Sequence, residues 1–211
     1  MATLPLYTNP MSRGRIARWM LEEVGATYDT SYLAYGDTMK SDAYLALNPM
    51  GKVPAIKHGS AIITECAAIC AYLADAFPEA GLAPPLDQRG DYYRWLFFGA
   101  GPVESATTNK MLQVSTEGHQ QMAGYGDFDT TLQTLTQAVS QTSFICGETF
   151  TAADVYLGSQ IGWGLQFGTI PVSPELAAYR ARVYARPAHA RANALDDSAM
   201  AEHGPTIPND A

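Results

Sequence analysis

The chain has 211 residues, 47% of them apolar, with a formal net charge of −8. That length holds one large domain or two small ones with full cores, and the composition excludes a disordered or repetitive chain. The acidic balance argues against general nucleic-acid binding, and no apolar run approaches the roughly 20 residues that a membrane helix needs.

Three cysteines, Cys66, Cys70 and Cys146, make an odd count without framework spacing, which fits a reducing compartment. The opening MATLPLYTNPMSRGR puts its positive charge after a short apolar piece, the reverse of a secretory signal, so a cytoplasmic location is expected. Thr3 to Tyr7 reads as a short strand. The loop Thr8-Asn9-Pro10-Met11 leads to Ser12, a good N-cap for a helix with Ile16, Trp19, Met20 and Val24 at helical spacing and Gly25 as its stop. Ala26 to Leu33 reads as a second strand, and Asp37 to Leu47 as a helix ending at Asn48-Pro49.

The stretch NPMGKVPAIKHGSAIITEC, residues 48–66, is the most informative in the chain. Proline has no amide to donate and does not belong inside a strand. Val53-Pro54 therefore reads as a backbone device, either a cis bond or the ordinary trans proline at a strand entrance that base rates favour for a proline taken alone. Two short strands follow, separated by the His58-Gly59 turn, and Thr64-Glu65-Cys66 starts a helix bearing Ile69, Tyr72, Leu73 and Ala76. The order β-α-β-α-β-β-α predicts a four-stranded mixed sheet flanked by helices.

Phe77 to Pro85 is rich in Pro, Gly and Ala and reads as a linker, dividing the chain into 1–80, 81–88 and 89–211. The last part reads as all-helical. A long helical pattern from Asp91 to about Gly118 is interrupted by Gly99, Gly101 and Pro102, which predict a kink. Phe128 to Gln141 is a further helix, and Thr151-Ala152-Ala153-Asp154 has the form of a capping box. Two shorter helices, about 174–185 and 187–195, close the domain, with a loosely ordered tail expected from Asp196.

Y-x-x-P-x-S before the first helix, N-P-M-G-K-V-P-A-I, T-E-C-A-A-I-x-A-Y-L, the proline-bearing linker and F-T-A-A-D-V-Y-L-G stand in order over nearly the whole length. In this combination the chain resembles the bacterial cytosolic glutathione S-transferases of the serine type. The resemblance implies a thioredoxin-like βαβαββα domain that binds glutathione as co-substrate, followed by a helical bundle that takes a small hydrophobic electrophile. It also implies a homodimer. Val53 would pair its main chain with the cysteinyl unit, Lys52 would meet the glycine carboxylate, and Glu65 with Cys66 would grip the γ-glutamyl end. Cysteine stands where the family has serine, a loss of about 1 kcal/mol in binding.

Ser12 matches the family serine that holds the thiolate, with Tyr7 and Asn9 as rival donors. Arg13, Arg15 and Arg18 would raise the potential for an anion or form a solvated face or dimer contact. The four scattered histidines suggest neither a metal site nor a triad. Glutathione transfer is thus the expected activity. Disulfide or peroxide reduction, isomerisation and a non-catalytic binding role are its alternatives.

Overall fold

The computed structural model describes residues 3–204. Strands β1 (Leu4–Thr8), β2 (Tyr28–Tyr32), β3 (Ala55–His58) and β4 (Ala61–Thr64) form one mixed sheet in the order β2-β1-β3-β4. The β1–β2 pair is parallel and the β1–β3 and β3–β4 pairs are antiparallel. Helices α1 (Gly14–Glu23), α2 (Asp42–Leu45) and α3 (Cys66–Ala76) complete the βαβαββα order read from the sequence. Ile16, Trp19, Met20 and Leu21 of α1 and Ile69, Cys70 and Leu73 of α3 are buried with Leu6 and Ile56 of the sheet. Apolar side chains of α1 thus recur at the 3.6-residue period that a sheet-packed helix requires. The Asp37–Leu47 pattern resolves into a 3-10 turn at Thr38–Lys40 and the short α2, capped by Ser41.

The chain divides into two compact units, and the last helix, α9 (Pro187–His203), groups with the sheet unit rather than with 81–186. The reason is buried and polar. Arg18, 2% exposed, pairs with the fully buried Asp196 of α9 at 2.9 Å. Its remaining donors reach the Tyr28 hydroxyl at 3.3 Å, Thr30 at 3.1 Å and Tyr32 at 3.1 Å. Burial pushes the Asp196 acid up, with the Arg18 charge pulling the other way, while Asp196 and the tyrosines around Arg18 raise the guanidinium against its own burial. Two expectations are corrected here. Arg18 is no solvated face, and residues 196–203 are helix rather than loose tail. The tail beyond Gly204 lies outside the described residues.

The second unit, Gly81–Arg186, contains α4 (Gly90–Phe98), α5 (Glu104–Met111), α6 (Phe128–Gln141), α7 (Ala152–Phe167) and α8 (Pro174–Tyr184). Gly99–Val103 is one π-helical turn between α4 and α5. Proline lacks the amide for a regular ladder, so the break predicted at Pro102 takes this form. The helical pattern stops at Met111 rather than near Gly118. Helix α7 is buried from Ala152 through Gly162. The Asp154 carboxylate, fully buried, accepts from the Ile145 amide at 2.8 Å, the Tyr179 hydroxyl at 2.7 Å, and the Thr151 amide and hydroxyl at 2.9 and 3.1 Å. Burial pushes its acid up, and these four donors oppose the shift. Asp154→Ala would orphan those donors. It is expected to lower unfolding free energy by about 3–5 kcal/mol, read as a reduced midpoint in urea.

Candidate active site

The sheet register gathers the motifs. Tyr7 of β1 pairs with Ala55, and Ala55 pairs on its other side with Thr64 of β4. The C-terminal end of β1, the N-terminal end of β3 and the C-terminal end of β4 therefore meet at one edge. The residues beyond those ends are the Asn9–Ser12 loop, Val53-Pro54 and Glu65-Cys66. Segments some forty and fifty residues apart in sequence become neighbours because antiparallel strands run ends together. The Cys66 Sγ–H points at the carbonyl of Arg13, the residue after the first of these segments, 3.4 Å away.

The Val53-Pro54 peptide is cis, which decides between the two sequence readings. The β3 ladder begins at Ala55, so Val53 stands outside it. The preceding carbonyl, that of Lys52, is held by the Tyr44 hydroxyl at 2.6 Å and by Asn48 Nδ2 at 2.8 Å. The Lys40 ammonium grips the Met50 and Gly51 carbonyls at 3.0 and 2.9 Å. Gly51 has a φ of 57°, and a Cβ there would lie 2.8 Å from the Met39 carbonyl, so the turn requires glycine. The Lys52 side chain itself is exposed, and its ammonium has no partner among the described residues.

Ser12 does not cap α1 in the expected way. The helix starts at Gly14 with Arg13 at the cap position. The Ser12 hydroxyl accepts from the Gly14 amide at 2.9 Å and donates to the Asn9 carbonyl at 2.7 Å. It is half-buried and lies at the positive end of a ten-residue helix. A Cβ on Gly14 would overlap Thr8 Oγ1 and lie 2.9 Å from Ser12 Oγ, so glycine is what leaves room for the hydroxyl. Tyr35 closes the loop from outside, donating to the Met11 carbonyl at 3.0 Å. Burial raises its phenol, with the Arg13 charge pulling the other way.

Of the rival donors, Asn9 is 2% exposed, and its amide is committed to the Leu33 carbonyl at 2.9 Å and the His203 carbonyl at 3.3 Å. Tyr7 is half-buried on β1, its ring 5.7 Å from that of Tyr44.

Glu65 precedes α3 at φ 63°, ψ 116°, a region that side-chain-bearing residues rarely occupy. Its carboxylate is exposed, with no partner among the described residues. Cys66 behind it is 8% exposed. The structure thus groups Ser12, Val53, Glu65 and Cys66 at one edge, with Lys52 adjoining Val53. Lys40, Tyr44 and Gly14 are supporting residues that sequence reasoning missed. Asn48 had a visible signal, since an Asn-Pro-x-Gly run announces a turn closed by the asparagine side chain.

A profile described as the glutathione S-transferase N-terminal domain matches residues 11–76. A glutathione S-transferase of Xanthomonas campestris is 34% identical over 141 residues, spanning 62% of this chain and 68% of that one. The Escherichia coli enzyme GstA is 29% identical over 150 residues, spanning 69% and 74%. Among solved structures, a sphingomonad glutathione S-transferase complexed with glutathione superposes with a TM-score of 0.73 at 26% identity, covering 92% of this chain and 98% of that one. The chain belongs to the glutathione S-transferase family.

The backbone at Glu65 costs about 1–3 kcal/mol in any residue with a Cβ. Glu65→Gly is therefore expected to raise stability by about 1 kcal/mol after glycine's extra unfolded-state entropy. Glu65→Ala should bring no such gain, and urea midpoints of the two variants check the difference.

Proposed function

We propose that the chain is a glutathione transferase in which Ser12 holds the glutathione thiolate for attack on a small hydrophobic electrophile. The meeting of the Ser12 loop, Val53 and Glu65-Cys66 around Ala55 carries this reading. Glutathione presents two carboxylates, an ammonium and a thiol, and the edge offers a complement to each. The cysteinyl main chain pairs with Val53 as an added strand. The Lys52 ammonium meets the glycine carboxylate, and the Glu65 carboxylate meets the γ-glutamyl ammonium. The amides opening α3, that of Cys66 among them, take the γ-glutamyl α-carboxylate.

The sulphur then lies toward the start of α1. A free thiol titrates near about 8.5, and bringing it down by about 2 units requires about 2.7 kcal/mol of added stabilisation of the anion. Turning the Ser12 O–H from the Asn9 carbonyl to sulphur supplies one hydrogen bond to the charge. The Gly14 amide, donating to the same oxygen at 2.9 Å, strengthens it as a donor. The helix dipole adds the rest. The thiolate forms the C–S bond, the leaving group departs with its electron pair, and the thiol proton has gone to solvent. Proximity supplies much of the remaining rate.

The helical unit is assigned the electrophile, and the protein is read as a cytoplasmic homodimer serving detoxification. No helix among the described residues is long and apolar enough to cross a membrane.

Binding to immobilised glutathione, followed by turnover of a chloronitrobenzene and of a mixed disulfide, separates the readings. Binding without either turnover would favour a non-catalytic role, and disulfide turnover alone a reductase. Ser12→Ala is expected to lower the transferase rate by about 10- to 1000-fold with little change in glutathione affinity. An unchanged thiol pKa in that variant would overturn the role of Ser12. Cys66→Ser restores a strong hydroxyl donor at the γ-glutamyl end and should tighten glutathione binding by about fivefold, equivalent to about 1 kcal/mol, by calorimetric titration.

A further inference from the structure

We infer that Asn9 is a positioning residue for Ser12, and that helix α9 is the wall to which Asn9 fixes the loop. The inference rests on the reading of Ser12 as the thiolate donor. The main-chain carbonyl and both side-chain polar atoms of Asn9 are spent on holding this loop. Its carbonyl receives the Ser12 amide at 3.1 Å and the Ser12 hydroxyl at 2.7 Å. Its Oδ1 receives the Met11 amide at 2.9 Å. Its Nδ2 donates to Leu33, just after β2, and to His203 in the last turn of α9.

Arg15 ties the same loop to the same helix. Its Nε donates to the Pro10 carbonyl at 2.6 Å and its Nη2 meets Asp197 at 2.8 Å. An exposed ion pair of this kind is worth little in stability. Two such ties on consecutive loop residues nevertheless leave the Asn9–Ser12 turn few alternatives. The helix they reach is itself locked to α1 by the buried Arg18–Asp196 pair.

The arrangement bears on chemistry as well as shape. The Asn9 carbonyl is where the Ser12 proton rests before glutathione arrives. When the hydroxyl turns to sulphur, that carbonyl keeps the Ser12 amide, so turning orphans no buried acceptor. Without the Asn9 side chain, the turn would relax, and the hydroxyl would meet the sulphur less directly. A hydrogen bond to a thiolate weakens steeply with misalignment. The consequence is a higher thiol pKa, with glutathione still held by Lys52, Val53 and Glu65.

The test is a double-mutant cycle on the full chain with Asn9→Ala, Ser12→Ala and the pair together. The pH midpoint of bound thiolate is read by ultraviolet absorbance, and kcat and KM are measured with glutathione and a chloronitrobenzene. Asn9→Ala is expected to raise the midpoint by about one unit and lower kcat about threefold at neutral pH, with KM for glutathione within about twofold. In the Ser12→Ala background the Asn9 change is expected to add nothing further, because its effect passes through the hydroxyl.

A midpoint that moves in Ser12→Ala but not in Asn9→Ala overturns the inference, as do fully additive shifts. A midpoint unmoved by Ser12→Ala instead overturns the thiolate assignment itself. If Asn9→Ala does not fold, Arg15→Lys serves in its place. Lysine keeps the charge beside Asp197 but loses the Nε donor to Pro10. A smaller upward shift that vanishes in the Ser12→Ala background supports positioning through the loop, and an unmoved midpoint overturns it.

Discussion

The candidate site depends on a strand pairing at Ala55, which meets Tyr7 on one side and Thr64 on the other. In a sheet, register is all or nothing, because a slip of one residue turns every side chain to the opposite face. Fully buried Ile56, paired with Leu6, pins that register through the core. With it pinned, the loop after β1, the Val-Pro step before β3 and the helix start after β4 have no choice but to share an edge. The chemistry at that edge is then a matter of what the three segments carry.

Those segments are held in unlike ways. The Val53 approach is fixed by side chains reaching into a turn: Tyr44 and Asn48 on the Lys52 carbonyl, Lys40 on the two carbonyls before it. Glu65 is held by the backbone itself, at a positive φ that the start of α3 and the end of β4 impose together. The Ser12 loop is held from outside, by a helix from the far end of the chain. All three devices hold main chain in place, and they leave the exposed Lys52 and Glu65 side chains unpartnered among the described residues. Rigid backbone with free charged ends is an arrangement suited to a flexible, doubly anionic peptide, since ordering the protein would otherwise subtract from affinity.

The second unit is organised by a different constraint. Helix α7 is buried nearly all round, so its first turn cannot be completed by water. Asp154 takes that place and at the same time gathers Thr151, Ile145 and Tyr179. A charge in that position is tolerated because four donors surround it. Its role is in folding, which agrees with the capping-box pattern seen in the sequence.

Most of the fold was legible in the sequence, because it rests on local signals: apolar period, turn residues and caps. The βαβαββα order and the start of α7 are of this kind. Ser12, Val53, Glu65 and Cys66 are singled out through the resemblance to the glutathione S-transferases, since turn and helix-start signals place such residues without assigning them a role. What local signals could not decide was partnership over distance. Arg18 looks like one more helix-surface cation until Asp196, 178 positions later, arrives to bury it. Asn9 looks like a candidate donor until Leu33 and His203 take up its amide. Helix α9 follows α8 in sequence, yet it groups with the sheet unit because the buried charge it carries has its counter-charge there. A chain's sequence specifies which groups need partners, and only the folded backbone determines which of them come within hydrogen-bonding distance.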